Sequence, residues 1–92
     1  MKNNLQKLQT KSEIAIQTSN LSKSIALAFE RTNSAPKKIE GIVTDILNCF
    51  KDTSMEVMQE AIKRGSLGEY GKTYGDISTQ EICYWIWSVF II

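Results

Sequence analysis

The sequence predicts an all-α fold, a single small domain of about five helices. Three observations predict it. Two segments, Ile39 to Phe50 and Ile82 to Phe90, carry apolar residues at unbroken helical spacing. Hydroxyl residues stand three positions before a glutamate at Thr53/Glu56, Ser66/Glu69 and Ser78/Glu81, the pattern of an N-terminal capping box. No segment alternates apolar and polar residues with period two over a useful length, so nothing argues for a strand.

Residues 1–20 are polar, with Leu5, Leu8, Ile14 and Ile16 scattered among them, and are expected as an N-terminal arm or a frayed helix. The helical domain is expected over residues 21–92. Leu21, Ile25, Ala28 and Phe29 recur at helical spacing, with Asn20 available as a cap. The stretch "TNSAPKK" breaks that helix; Pro36 cannot continue it but suits the first turn of the next. Ile39, Ile42, Val43, Ile46, Leu47 and Phe50 then form one stripe along a second helix.

"KDTS" ends this stripe. Thr53 with Glu56 is expected to start a helix through Met55, Met58 and Ile62. Lys63 and Arg64 suit its negative end, and Gly65 is expected as its left-handed stop. Ser66 with Glu69 predicts a short helix carrying Leu67, Tyr70 and Tyr74 on one face and halted by a left-handed Gly75. Ser78 with Glu81 starts the last helix, whose inward stripe is expected to be Ile82, Trp85, Ile86, Val89 and Phe90. The last two helices would be arranged like a helix-turn-helix.

Composition narrows the chemistry. At 92 residues the chain can close one modest core. No apolar run reaches the roughly 18 residues that span a bilayer, and "MKNNLQKLQTKSE" lacks the apolar block of a secretory signal. Cys49 and Cys83 are far apart in sequence and read as reduced thiols in a cytoplasm. Histidine is absent, which removes the commonest general base and the commonest metal ligand. Neither a catalytic site, a cofactor nor a metal is expected, and the chain does not read as an enzyme. Net charge is +1, so no global field draws it to nucleic acid or membrane.

The stretch "GSLGEYGKTYG", residues 65–75, ends its central part in Gly71-Lys72-Thr73, the close of a nucleotide-binding loop. Such a loop needs a glycine where Ser66 stands, a strand before it and a helix opening at the threonine. The flanking pattern offers none of these, and Glu69 would sit inside the anion cradle. The glycines read better as helix punctuation.

The last helix supports two functional readings. As a DNA-reading helix it would offer Thr79, Gln80 and Tyr84, with Gln80 as the one plausible base reader. That face carries no cation, and Glu81 would confront a polyanion. As a protein-contact helix it would offer Tyr84, Trp87 and Ile91, which fall off the inward stripe. Trp and Tyr dominate binding hot spots, and the apolar ending "SVFII" points the same way. A protein partner or self-association is favoured over nucleic acid.

The run from "IVTDILNCFKDTSMEVMQEAIKRG" into "GEYGKTYGDISTQEICYWI" resembles small uncharacterised helical proteins of bacterial prophages and integrative elements. Gly68, Gly71, Tyr74, Gly75, Ile82 and Trp85 match their pattern, and the resemblance covers Ile42 to Ile86. It implies an accessory protein of a mobile element, acting by protein contact rather than catalysis. A looser likeness, carried by "DTSMEVMQEAIKRG" and "DIS", is to phage proteins that load or restrain a replicative helicase. That likeness implies stoichiometric binding in DNA replication.

Overall fold

The computed structural model describes the backbone of residues 2–35, 38–73 and 75–91, and within those ranges the side chains of residues 15–90. It contains four helices and, among the described residues, no strand: α1 (Lys2–Arg31), α2 (Ile39–Cys49), α3 (Met55–Ser66) and α4 (Thr79–Ile91). Pro36 and Tyr74, each given a place by the sequence reading, lie outside the described residues, as does Lys37. So do the side chains of Leu5, Leu8, Ile14 and Ile91.

Residues 2–20 continue into α1 with no break in the helical backbone. Burial begins abruptly. None of residues 15–20 is buried and Ile16 is 60% exposed, whereas Leu21 and Ile25 are fully buried. The helix ends in a two-bond cap: the Ser34 amide donates to the Phe29 carbonyl at 2.9 Å and the Asn33 amide to Glu30 at 3.2 Å. Asn33 supplies the left-handed residue this cap requires, at φ 58°.

α2 buries Ile42, Val43 and Ile46, as its stripe predicts, and Phe50 closes its last turn. The cap of α3 falls one residue later than expected. Thr53 donates its amide to the Phe50 carbonyl in the turn that ends α2. The extended residue is therefore Ser54, whose hydroxyl accepts from the Val57 amide.

The end of α3 departs further from expectation. Gly65 does not stop the helix but lies inside it, buried. The stop is Gly68, at φ 88°, with the Glu69 amide on the Arg64 carbonyl and the Gly68 amide on Gly65, both at 3.0 Å. This cap occupies the residues expected to start a short helix over 66–74. Gly71, at φ 122°, excludes a right-handed helix there as well. The protein thus has four helices, not five. Residues 67–78 separate α3 from α4, where a helix-turn-helix uses a turn of about 3–4 residues. Gly75 is left-handed as expected, at φ 74°, although the helix it was expected to stop is not there, and Ser78 caps α4 through the Glu81 amide as expected.

The long connection is pinned rather than loose. The Asp76 carboxylate accepts from the Ala35 amide, and the Ser34 hydroxyl accepts from the Ile77 amide, each at 3.0 Å. These bonds tie the start of α4 to the end of α1 and seat Ile77 fully buried in the core. The helices contact one another in a ring: α1 touches α2 and α3, and α4 touches α3 and α2. Among the described residues α1 does not reach α4, nor α2 reach α3; each pair faces across the common core.

Candidate functional site

α4 is apolar nearly all round, which a helix on the rim of a four-helix ring does not need for folding alone. Its inward side is set by helical rotation. Ile82, Trp85 and Ile86 are buried, and Val89 is half-buried. Phe90 was expected among them and is instead 62% exposed. The reason is geometric. Seven residues on from Ile82 brings Val89 back to within about 20° of it, but eight residues on carries Phe90 about 80° away.

What orients this helix is one close contact. Gly65 of α3 faces the Trp85 indole so closely that a Cβ there would fall 2.6 Å from Trp85 Cε2, and closer still to Cγ and Cδ2. The glycine lets the indole lie on the α3 backbone. That fixes how α4 is rotated about its axis, and therefore which residues face out.

Those residues are Tyr84, 54% exposed, Trp87, 57% exposed, and Phe90. Trp87 is held in place: its ring stands edge-on to the buried Phe50 ring of α2, centroids 5.9 Å apart at 65°. Such a pair contributes about 0.5–1.5 kcal/mol beyond its burial. Ile91, the third contact residue expected from sequence, has a helical backbone, but its side chain lies outside the described residues. On the DNA-reading alternative, Gln80 is exposed beside Tyr84 while Thr79 is half-buried. No Lys or Arg occurs anywhere in α4.

Phe50 links this face to a groove of about 420 Å³ that includes Gln17, Leu47, Asn48, Lys51 and Met58 in its lining. Also beside the face are the two thiols. Cys49, the last residue of α2, is exposed and Cys83 is half-buried on α4. Burial chiefly, and the neighbouring Cys49 next, push the Cys83 thiol up from its ordinary value. Sequence spacing held no sign of this pairing, nor of the Phe50–Trp87 contact, because both arise from the docking of α2 on α4.

The Gly-Lys-Thr stretch has a different setting. Lys72 and Thr73 line a shallow hollow of about 240 Å³ with Arg31 and Ser66. It lies at the C-terminal ends of α1 and α3, whose carbonyls disfavour an anion. The next helix opens at Thr79, well past Thr73. Among the described residues no group of three His, Cys, Asp or Glu side chains could hold a metal ion. No helix among them is long and apolar enough to cross a membrane. Neither a family model, a curated protein nor a solved structure matches the chain.

Proposed function

We propose that this chain is a non-enzymatic accessory protein of a mobile element that works by binding another protein through the outward face of α4. The observation that carries the reading is the exposure of Tyr84, Trp87 and Phe90 together on one rigidly oriented helix. Among the described residues α1 makes no contact with α4 and so does not cover them. An aromatic side chain buries about 150–250 Å² when fully enclosed, so three that are a little over half exposed offer roughly 250–450 Å². That is a third to a half of one side of a standard interface, the share expected of its aromatic centre. Glu81 on α4 and Asp45 on α2 place acids near this centre, which suits a partner whose apolar contact is flanked by Lys or Arg. The mobile-element setting rests on the resemblance over Ile42 to Ile86, and a part in replication on the looser helicase-loader likeness.

Site-specific photocrosslinking in the native host tests the reading. A photoreactive amino acid replaces Tyr84 in one variant and Glu60, exposed on α3, in another. The expected result is one protein captured from position 84, not from 60, and lost when Trp87→Ala is added. Capture should persist at high salt, unlike phosphate-dominated DNA binding. Equal capture from both positions, or crosslinks from position 84 only to DNA, would refute it.

A further inference from the structure

We propose that Cys49 and Cys83 are a redox-active pair, which a low-molecular-weight disulfide such as oxidised glutathione converts to an intramolecular disulfide joining the end of α2 to α4. The inference stands independently of what the α4 face binds.

The fold assembles the pair from two sides. α2 and α4 are neighbours in the helix ring. Phe50, the residue after Cys49, stands edge-on to Trp87, which is one helical turn beyond Cys83. The same register places Cys49 and Cys83 on neighbouring helices beside that ring contact, and the neighbouring Cys49 adds to the burial that pushes the Cys83 thiol up. Both are free thiols in the structure. Two thiols without a third ligand do not make a metal site of the usual kind, and the described residues supply no such third ligand. A disulfide needs no third group, only two cysteines whose Cα atoms come to about 4.4–6.8 Å with their Cβ atoms turned together.

Their unequal exposure assigns the order of events. Exposed Cys49 meets the oxidant first. Its thiolate attacks one sulfur of oxidised glutathione, a new protein–glutathione S–S bond forms, and one glutathione thiolate leaves. Cys83 then loses its proton to solvent and attacks the Cys49 sulfur. The Cys49–Cys83 bond forms and the second glutathione leaves. Two protein thiols have been oxidised and one glutathione disulfide reduced to two thiols, whose protons replace those lost by the protein. Closure calls for movement at Cys49 more than at Cys83. Cys49 ends its helix, while Cys83 is flanked by the buried Ile82 and, one residue further, Trp85.

The full-length protein, reduced and then equilibrated in glutathione redox buffers, is quenched with acid and measured by intact mass and tryptic mapping. The expected product has lost two hydrogens and joins the peptide of Cys49 to that of Cys83. Cys49→Ser and Cys83→Ser should each stop at a single glutathione adduct. The equilibrium constant for the native chain should exceed that of the same chain in urea by at least about tenfold, because the fold holds the thiols closer than a flexible linker would. The disulfide form should melt roughly 10 °C or more above the reduced one, since the bond closes a long loop. Two glutathione adducts on the native protein with no linked peptide, or equal constants with and without urea, would overturn the proposal.

Discussion

Gly65→Ala is the sharpest test of how α4 is held. The new Cβ would lie 2.6 Å from Trp85 Cε2 and nearer to two other indole atoms, where carbon pairs rest at about 3.5–4.0 Å. The indole is 2% exposed and belongs to the buried apolar cluster, so it cannot swing into solvent cheaply. Overpacking of a tight core costs about 1–3 kcal/mol, and an overlap beyond 1 Å belongs at the upper end. Alanine recovers about 1 kcal/mol of helix propensity. The net expectation is a loss of about 2 kcal/mol, which lowers Tm by roughly 8–16 °C in a domain of this size. Gly41→Ala is the control, because that glycine is exposed in α2 and a Cβ there meets nothing within 4 Å. It should raise Tm by a few degrees, from propensity alone. Thermal melts by circular dichroism compare the two, then repeat Gly65→Ala in a Trp85→Leu background. The smaller side chain makes room, so the penalty there should shrink or reverse. A Gly65→Ala protein that melts at or above the parent, or a penalty unchanged by Trp85→Leu, would refute the close approach.

Trp85→Ala should cost about 3–5 kcal/mol and leave little cooperative unfolding, whereas Trp87→Ala, losing mainly its edge contact with Phe50, should cost about 1 kcal/mol with helicity intact; equal losses by chemical denaturation would place both indoles in the core. Ser54→Ala removes the α3 cap and should cost about 1 kcal/mol, while Thr53→Ala should cost clearly less; a reversed order in urea midpoints would return the cap to Thr53. Ser34→Ala strips the acceptor from the Ile77 amide in a part-buried setting and should cost about 1 kcal/mol. Hydrogen exchange at that amide should quicken in step, and an unchanged exchange rate would show that the two loops are not joined there.

How far the sequence was readable depends on how local each cause is. The α2 stripe, the Ser78 cap and the separation of Trp85 from Trp87 follow from neighbours within a turn or two, and all are found. The failures have tertiary causes. Ser66 and Glu69 fit a capping box as well as Ser78 and Glu81 do, yet Ser66 ends a helix. Its hydroxyl donates to the Lys63 carbonyl and accepts from Arg31 of α1, a partner that sequence spacing cannot supply. Gly65 looks like a stop until Trp85 is seen lying on it. Phe90 is different: rotation within its own helix carries it about 80° from Ile82 and out of the buried stripe. The contact face was half visible: Tyr84 and Trp87 are expected there from rotation, Phe90 is expected inward although the same rotation turns it out, and the nearness of the two thiols depends on the docking of α2 on α4.

The ring of helices divides the chain in an unusual place. Among the described residues α1 and α2 are neighbours, as are α3 and α4, but α2 and α3 are not, so the link at residues 50–54 joins two halves that meet through α1 on α3 and α4 on α2. Each half supplies part of a single apolar cluster, Leu21 to Phe50 from one and Met58 to Ile86 from the other, and neither encloses a core alone. Severing that link would turn folding into an association of two peptides, with a stability that rises with their concentration. Two whole chains could likewise trade halves, each α1–α2 pair closing on its neighbour's α3–α4 pair and rebuilding the same core twice.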